Sequence, residues 1–147
     1  MKGFSKKLFC TLLTIGILSS ILCVAASAVV VRSSNYLDSY IAGMTAESGG
    51  KIYVSAQVDA IINATKIGVS DVYLYESDDN VSYTCVEHYE YEEYPDMMGS
   101  GRHFNRDVVE YDGTPGKYYM ACVYVYAGNN SGGDTRAYTT ASVRAFR

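Results

Sequence analysis

Tryptophan is absent from the 147 residues, proline occurs twice, cysteine four times, and 12 lysines and arginines stand against 16 acidic residues. Each shortage closes off a class of explanation. With no basic cluster, the charge balance argues against nucleic acid or an anionic membrane as a partner. No proline-rich, low-complexity or repeated segment separates one region from another, so no second domain is required. His88 and His103 with a few scattered cysteines do not give zinc-ligand spacing. Nothing matches Gly-x-Ser-x-Gly or a cysteine-protease signature. Alanine- and leucine-rich stretches at helical spacing are also scarce beyond the first 28 residues, which argues against a helical fold.

The one long apolar run is at the start. Lys2, Lys6 and Lys7 precede an uncharged stretch from Leu8 to Val24, and Ala26-Ser27-Ala28 supplies a small-x-small motif. That order predicts an export signal over residues 1–28, cleaved between Ala28 and Val29, and a secreted protein that keeps no membrane segment. About 17 residues is near the lower limit for a spanning helix, so an uncleaved anchor is the competing reading. Residues 29–35 are then a linker and residues 36–147 a single domain. All 16 acidic residues but only nine basic ones lie after the signal, a net charge of −7. Cys10 and Cys23 leave with the signal, and only Cys85 and Cys122 remain.

The rest of the chain alternates in short segments separated by Gly, Asn, Asp and Ser, the pattern of an all-β antiparallel sandwich. Seven strands are predicted. The first is Tyr36–Ala46, with Tyr40, Ala42, Met44 and Ala46 inward. Lys51–Ala60 turns Ile52, Val54, Ala56 and Val58 inward, and Ile61–Ser70 is expected to be a connection. Asp71–Glu76 follows, with Val72 and Leu74 inward, then Ser82–Tyr91. Tyr94–Arg102 is expected to be a loop, and His103–Tyr111 the next strand. Pro115 to Gly128 is the longest strand-like run. Its residues Tyr119, Ala121, Val123 and Val125 make one face; Tyr118, Met120, Cys122, Tyr124 and Tyr126 make the other. After a long hairpin loop, Thr135–Ala145 returns with Ala137, Thr139, Ala141, Val143 and Ala145 inward. The count resembles an immunoglobulin- or fibronectin-type-III-like sandwich, and Pro115-Gly116 before Tyr119 resembles the tyrosine corner of such folds. The second strand carries no cysteine, so the inter-sheet disulfide of antibody domains is excluded.

Four strings taken in order are similar to a family of small, uncharacterised secreted proteins of Gram-positive bacteria. They are Ile67-Gly68-Val69-Ser70-Asp71-Val72-Tyr73-Leu74-Tyr75-Glu76-Ser77, Met97-Met98-Gly99, Gly116-Lys117 through Gly128, and Gly133-Asp134-Thr135-Arg136. The likeness covers roughly residues 34–145 and departs at Ile61-Ile62-Asn63-Ala64. It implies export and a single β-domain, and carries over no catalytic residue.

The 15 tyrosines, all after the signal, are the chemistry that stands out. In an immunoglobulin-like sandwich the third, sixth and seventh strands share a sheet. Tyr73 and Tyr75, then Tyr118, Tyr124 and Tyr126, then Arg136 and Tyr138 would form one outward platform. Flat aromatic faces with hydroxyl rims suit sugar rings or a protein surface. Cross-strand tyrosine pairs also stabilise a sheet by roughly 0.2–1 kcal/mol each, so a structural account of the same residues stands beside the functional one. The expected function is a non-enzymatic binding module for an extracellular glycan or protein surface, acting without a cofactor. The alternative is a structural, self-associating envelope protein. A hydrolase is the weakest reading. If residues 86–92 are extended, His88, Glu90 and Glu92 share a face at roughly 7 Å spacing, which an inverting glycosidase can use, but no cleft is evident. Asp78-Asp79-Asn80 and Asn129–Asp134 offer oxygen donors for calcium, although turn formation accounts for them. On this strand order Cys85 and Cys122 are separated by the third strand, nearly 10 Å, and remain free thiols.

Overall fold

The computed structural model describes residues 34–147, so the signal, its cleavage site, Cys10, Cys23 and most of the linker lie outside the described residues. These residues form an all-β unit of seven antiparallel strands in one curled sheet. The strands are β1 (Leu37–Ala46), β2 (Lys51–Ser77), β3 (Thr84–Glu90), β4 (Met98–Asp112), β5 (Tyr118–Asn129), β6 (Gly132–Thr139) and β7 (Val143–Arg144). Short 3-10 turns at Ser48–Gly50 and Pro95–Met97 precede β2 and β4.

The organising element is β2, 27 residues long. Its first half lies between β1 and β4, and its second half between β3 and β5. Residues 61–70 were expected to connect two strands, and instead carry the ladder through. Ala64, Ile67 and Val69 are buried along this stretch, while the register slips between Asp59, Ala64 and Ile67 against β4 and between Val69 and Asp71 against β5. Such bulges disturb the two-residue period that identifies a strand, and they let the sheet curl. Gly68 sits at a φ of 148°, where a β-carbon would lie 2.4 Å from the Met97 carbonyl oxygen. Only glycine fits there. The expected loop 94–102 is likewise shorter: Gly99 and Gly101 take ladder positions opposite Ile67 and Ala64.

The core is the concave side of this sheet. Ile52, Val54, Val58, Ile67, Val69, Val72, Leu74, Tyr119, Ala121, Val123 and Val125 are all fully buried. The inward phases expected for Lys51–Ala60, Asp71–Glu76 and the Tyr118–Val125 run therefore hold. Tyr40 meets Tyr138 edge-on at 6.5 Å, joining β1 to β6, and Tyr111 meets Tyr119 at 5.8 Å, joining β4 to β5. The Tyr119 hydroxyl accepts the Thr114 N–H at 2.8 Å and donates to Glu76 at 2.5 Å.

The C-terminal return departs from expectation. The loop after β5 is a two-residue hairpin turn, with Asn129 opposite Gly132. The absence of a side chain at Gly133 makes room for Tyr126 beside this hairpin, since a β-carbon there would fall 2.2 Å from its hydroxyl. The last strand is also broken in two. Pairing of Val123 with Tyr138 puts Arg136 and Tyr138 on the core side, and leaves Ala137, Thr139 and Ala141 exposed, the reverse of the expected phase. A one-residue change of register exchanges the faces of a strand. The break is held by Thr140, whose N–H donates to the Ala121 carbonyl while its hydroxyl accepts the Ala121 N–H. Beyond it Ala145 is buried, as expected.

Candidate functional site

The outer face of the sheet around β3, the second half of β2, and β5 gathers the candidate residues. Asp71–Ser77, β5 and β6 are successive neighbours, the adjacency expected for the third, sixth and seventh strands. Tyr73 lies opposite Cys122, and Tyr75 opposite Met120. Asp71 lies opposite both Tyr124 on β5 and Glu90 on β3. Alternation on rigid strands, with bulges at Ser70 and Val86, aims these side chains at one surface.

Tyr73 is the centre of this arrangement. The His88 ring stacks on one side of it, 4.0 Å between centroids and 10° between planes. Tyr124 approaches edge-on from the other side at 5.9 Å. Desolvation, then the carboxylates of Asp71 and Glu90, raise the Tyr73 phenol above its ordinary value. The neighbouring Cys122, then desolvation, raise that of Tyr124. Both hydroxyls therefore stay protonated and able to donate. On the β6 side, Ala137 is the residue opposite Tyr124, and its small side chain leaves that flank low.

The seven expected site residues do not form one platform. Tyr73, Tyr75 and Tyr124 share the outer face with Tyr118 and Tyr126, and all five are half-buried. Tyr118 lies under the Arg144 guanidinium, 5.5 Å from its ring. Tyr126 covers the Gly128–Gly133 backbone. Arg136 and Tyr138 are on the other side of the sheet, because β6 has the opposite phase. The aromatic surface is consequently narrower than the sequence implied.

One further group departs from its expected place. Strand β3 ends at Glu90 and the chain turns over 91–93, so Glu92 does not continue the face of His88 and Glu90. In its place, ladder pairing delivers Asp71, which local spacing had no means of linking to His88. The His88 Nε2 is 3.2 Å from Asp71, and Nδ1 is 3.5 Å from Glu90. Cys85 and Cys122 are free thiols, on β3 and β5 with β2 between them.

Elsewhere, a cavity of about 420 Å³ is formed by β2, β4 and the turn before β4, with Tyr53, Tyr94, Glu93, Asp96, Asp107 and Glu110 on its walls. None of the seven tyrosine-face candidates lines it. Asp59, Glu76, Asp79 and Asp134 all have carboxyls held below the usual range, chiefly by hydrogen bonds from His103, Lys117, the Ser82 backbone and Ser34 respectively. That direction favours permanent ionisation, whereas a general acid needs the reverse. Asp79 takes the N–H groups of Val81 and Ser82 and the Ser77 hydroxyl, so its carboxylate closes its own turn. Among the described residues no helix is long and apolar enough to cross a membrane. Comparison with protein families, curated proteins and solved structures returns no match.

Proposed function

We propose that the protein is an exported, non-enzymatic recognition module that engages an extracellular glycan or protein surface through Tyr73, Tyr75 and Tyr124. The observation that carries this reading is the clamped Tyr73 ring, fixed between His88 and Tyr124 on the outer face of the sheet. A ring already immobilised loses little freedom on binding, which is how rigid aromatic anchors gain affinity. The net charge of −7 after residue 28 directs the search away from nucleic acid. The likeness to small exported Gram-positive proteins agrees with this role. The run of Asp71–Ser77, β5 and β6 as neighbours supports an immunoglobulin- or fibronectin-like strand order within the one curled sheet. Glycan and cell-surface arrays test the module. The Tyr75→Ala/Tyr124→Ala double variant should lose binding while its circular dichroism spectrum is unchanged, and retention of full binding refutes the proposal.

A second reading, self-association in the cell envelope, draws on β1. Among the described residues this ten-residue strand pairs only with β2, and its other edge, beside Ile41 at 55% exposed, carries no ladder. Open edges of this length invite pairing with another chain. Sedimentation over a wide concentration range separates the readings, since a monomer throughout rules out assembly.

A further inference from the structure

From the geometry of Asp71, His88 and Glu90 we infer a divalent transition-metal site, of the zinc class, at the β2–β3 edge of the outer face. Asp71 and Glu90 are directly opposed across the ladder, and His88 stands two residues before Glu90 on the same strand. One donor atom from each of the three lies within 4.8 Å of the others.

Three observations point to a cation here. Like charges directly opposed across two strands destabilise the pair, and Asp71 and Glu90 are such a couple. Among the described residues the ion pairs of both carboxylates are with His88 alone. The imidazole itself is the second observation. A neutral ring has one N–H, so it can satisfy only one of two flanking carboxylates, and its other nitrogen turns a lone pair toward oxygen lone pairs. A metal ion on the ring nitrogen that lacks the proton takes up its lone pair and offsets the charge of the two carboxylates, while the other ring nitrogen keeps its N–H.

Preorganisation is the third. His88 is held flat against Tyr73 at 4.0 Å, and the side chains of Asp71 and His88 are 32% and 31% exposed, against 49% for Glu90. His88 is thus positioned by its stack on Tyr73, and Glu90, the more exposed carboxylate, has the freedom to close on the ion. Donors around tetrahedral zinc, at about 2.0–2.2 Å from the metal, stand roughly 3.3–3.5 Å from one another. Closure from 4.8 Å is within the reach of a glutamate side chain on a fixed strand. One imidazole nitrogen with two carboxylate oxygens suits zinc better than calcium, which takes six to eight oxygens. A water completes the set.

The site does not rest on the recognition reading, because its ligands remain when Tyr124 is replaced. Zinc chloride titrated into the purified, tag-free protein, stripped of metal and in a non-chelating buffer, should give one-to-one binding by calorimetry. His88→Gln should weaken the dissociation constant by at least about tenfold, and Asp71→Asn should weaken it as well. His103→Gln, which alters the separate exposed pair of His103 with Asp59, should leave it unchanged. Shifts of the His88 ring resonances on zinc addition supply a readout that needs no variant to fold. Absence of binding, equal binding by His88→Gln, or loss in His103→Gln overturns the inference.

Discussion

Replacing Tyr119 with phenylalanine removes one oxygen atom from the core and isolates what that oxygen does. The ring stays fully buried and keeps its packing on Tyr111. The hydroxyl, however, joins Thr114 on the approach to β5 to Glu76 near the end of β2, and Lys117 Nζ holds the other Glu76 oxygen at 2.5 Å. Tyr119→Phe deletes a hydrogen bond to a charged acceptor, about 1.5–3 kcal/mol, and strands a backbone donor, about 1–3 kcal/mol. The two losses overlap because water can reach part of the gap, so a total near 2–4 kcal/mol is expected. With a urea slope of about 1–2 kcal/mol per molar, the unfolding midpoint should fall by roughly 1–4 M at constant slope. Acid supplies a second test. Lys117 first, and Tyr119 after it, hold the Glu76 carboxyl below its ordinary value of 4.5. The folded pKa is thus lower than the unfolded one, and the associated stability is complete above 4.5 and lost as pH falls through the folded value. In Tyr119→Phe that acid-sensitive part shrinks, so the gap between the two proteins narrows on acidification. A midpoint change below about 0.3 M, or a gap independent of pH, refutes this account of the corner.

The hairpin between β5 and β6 gives a coupled pair. Gly133→Ala should lower the unfolding free energy by roughly 1–3 kcal/mol, because its methyl would overlap the Tyr126 hydroxyl. Most of that loss should vanish in a Tyr126→Ala background, and additive effects in a double-mutant cycle count against the contact. Asp79 is drawn down to about 2, by the Ser82 and Val81 amides first and the Ser77 hydroxyl next. Its titration followed by NMR should have a midpoint near that value, so the 78–82 turn survives acidification that protonates ordinary carboxylates. A midpoint near the usual 3.8 contradicts the hydrogen bonding.

Wherever one face of a segment is buried and the pairing is regular, the residues announce their own orientation. Ile52, Val54, Ala56 and Val58 alternate with polar neighbours, and Tyr119 to Val125 with Tyr118 to Tyr126; both phases are those of the folded protein. Residues 61–70 hid because bulges break the two-residue period there, and their mixed polarity is also that of a loop. Arg136 and Tyr138 were placed on the wrong side for a related reason. In Thr135–Ala145 small and β-branched residues occupy one phase and Tyr138 the other, and apolarity alone favoured the small ones. Pairing against Val123 and Val125 decides otherwise.

The amino-acid sequence by itself therefore determined an all-β chain, its main inward faces and the outward phase of the tyrosines on β2 and β5. Those properties are local: they follow from side-chain alternation and from turn residues read a few positions at a time. The tertiary structure alone decided that β2 runs unbroken through both halves of the sheet, that β6 shows Ala137 rather than Tyr138 to the outside, and that Asp71 meets His88. Each of these is a matter of register between strands distant in the chain, and register is set by the summed fit of a whole ladder rather than by any one segment.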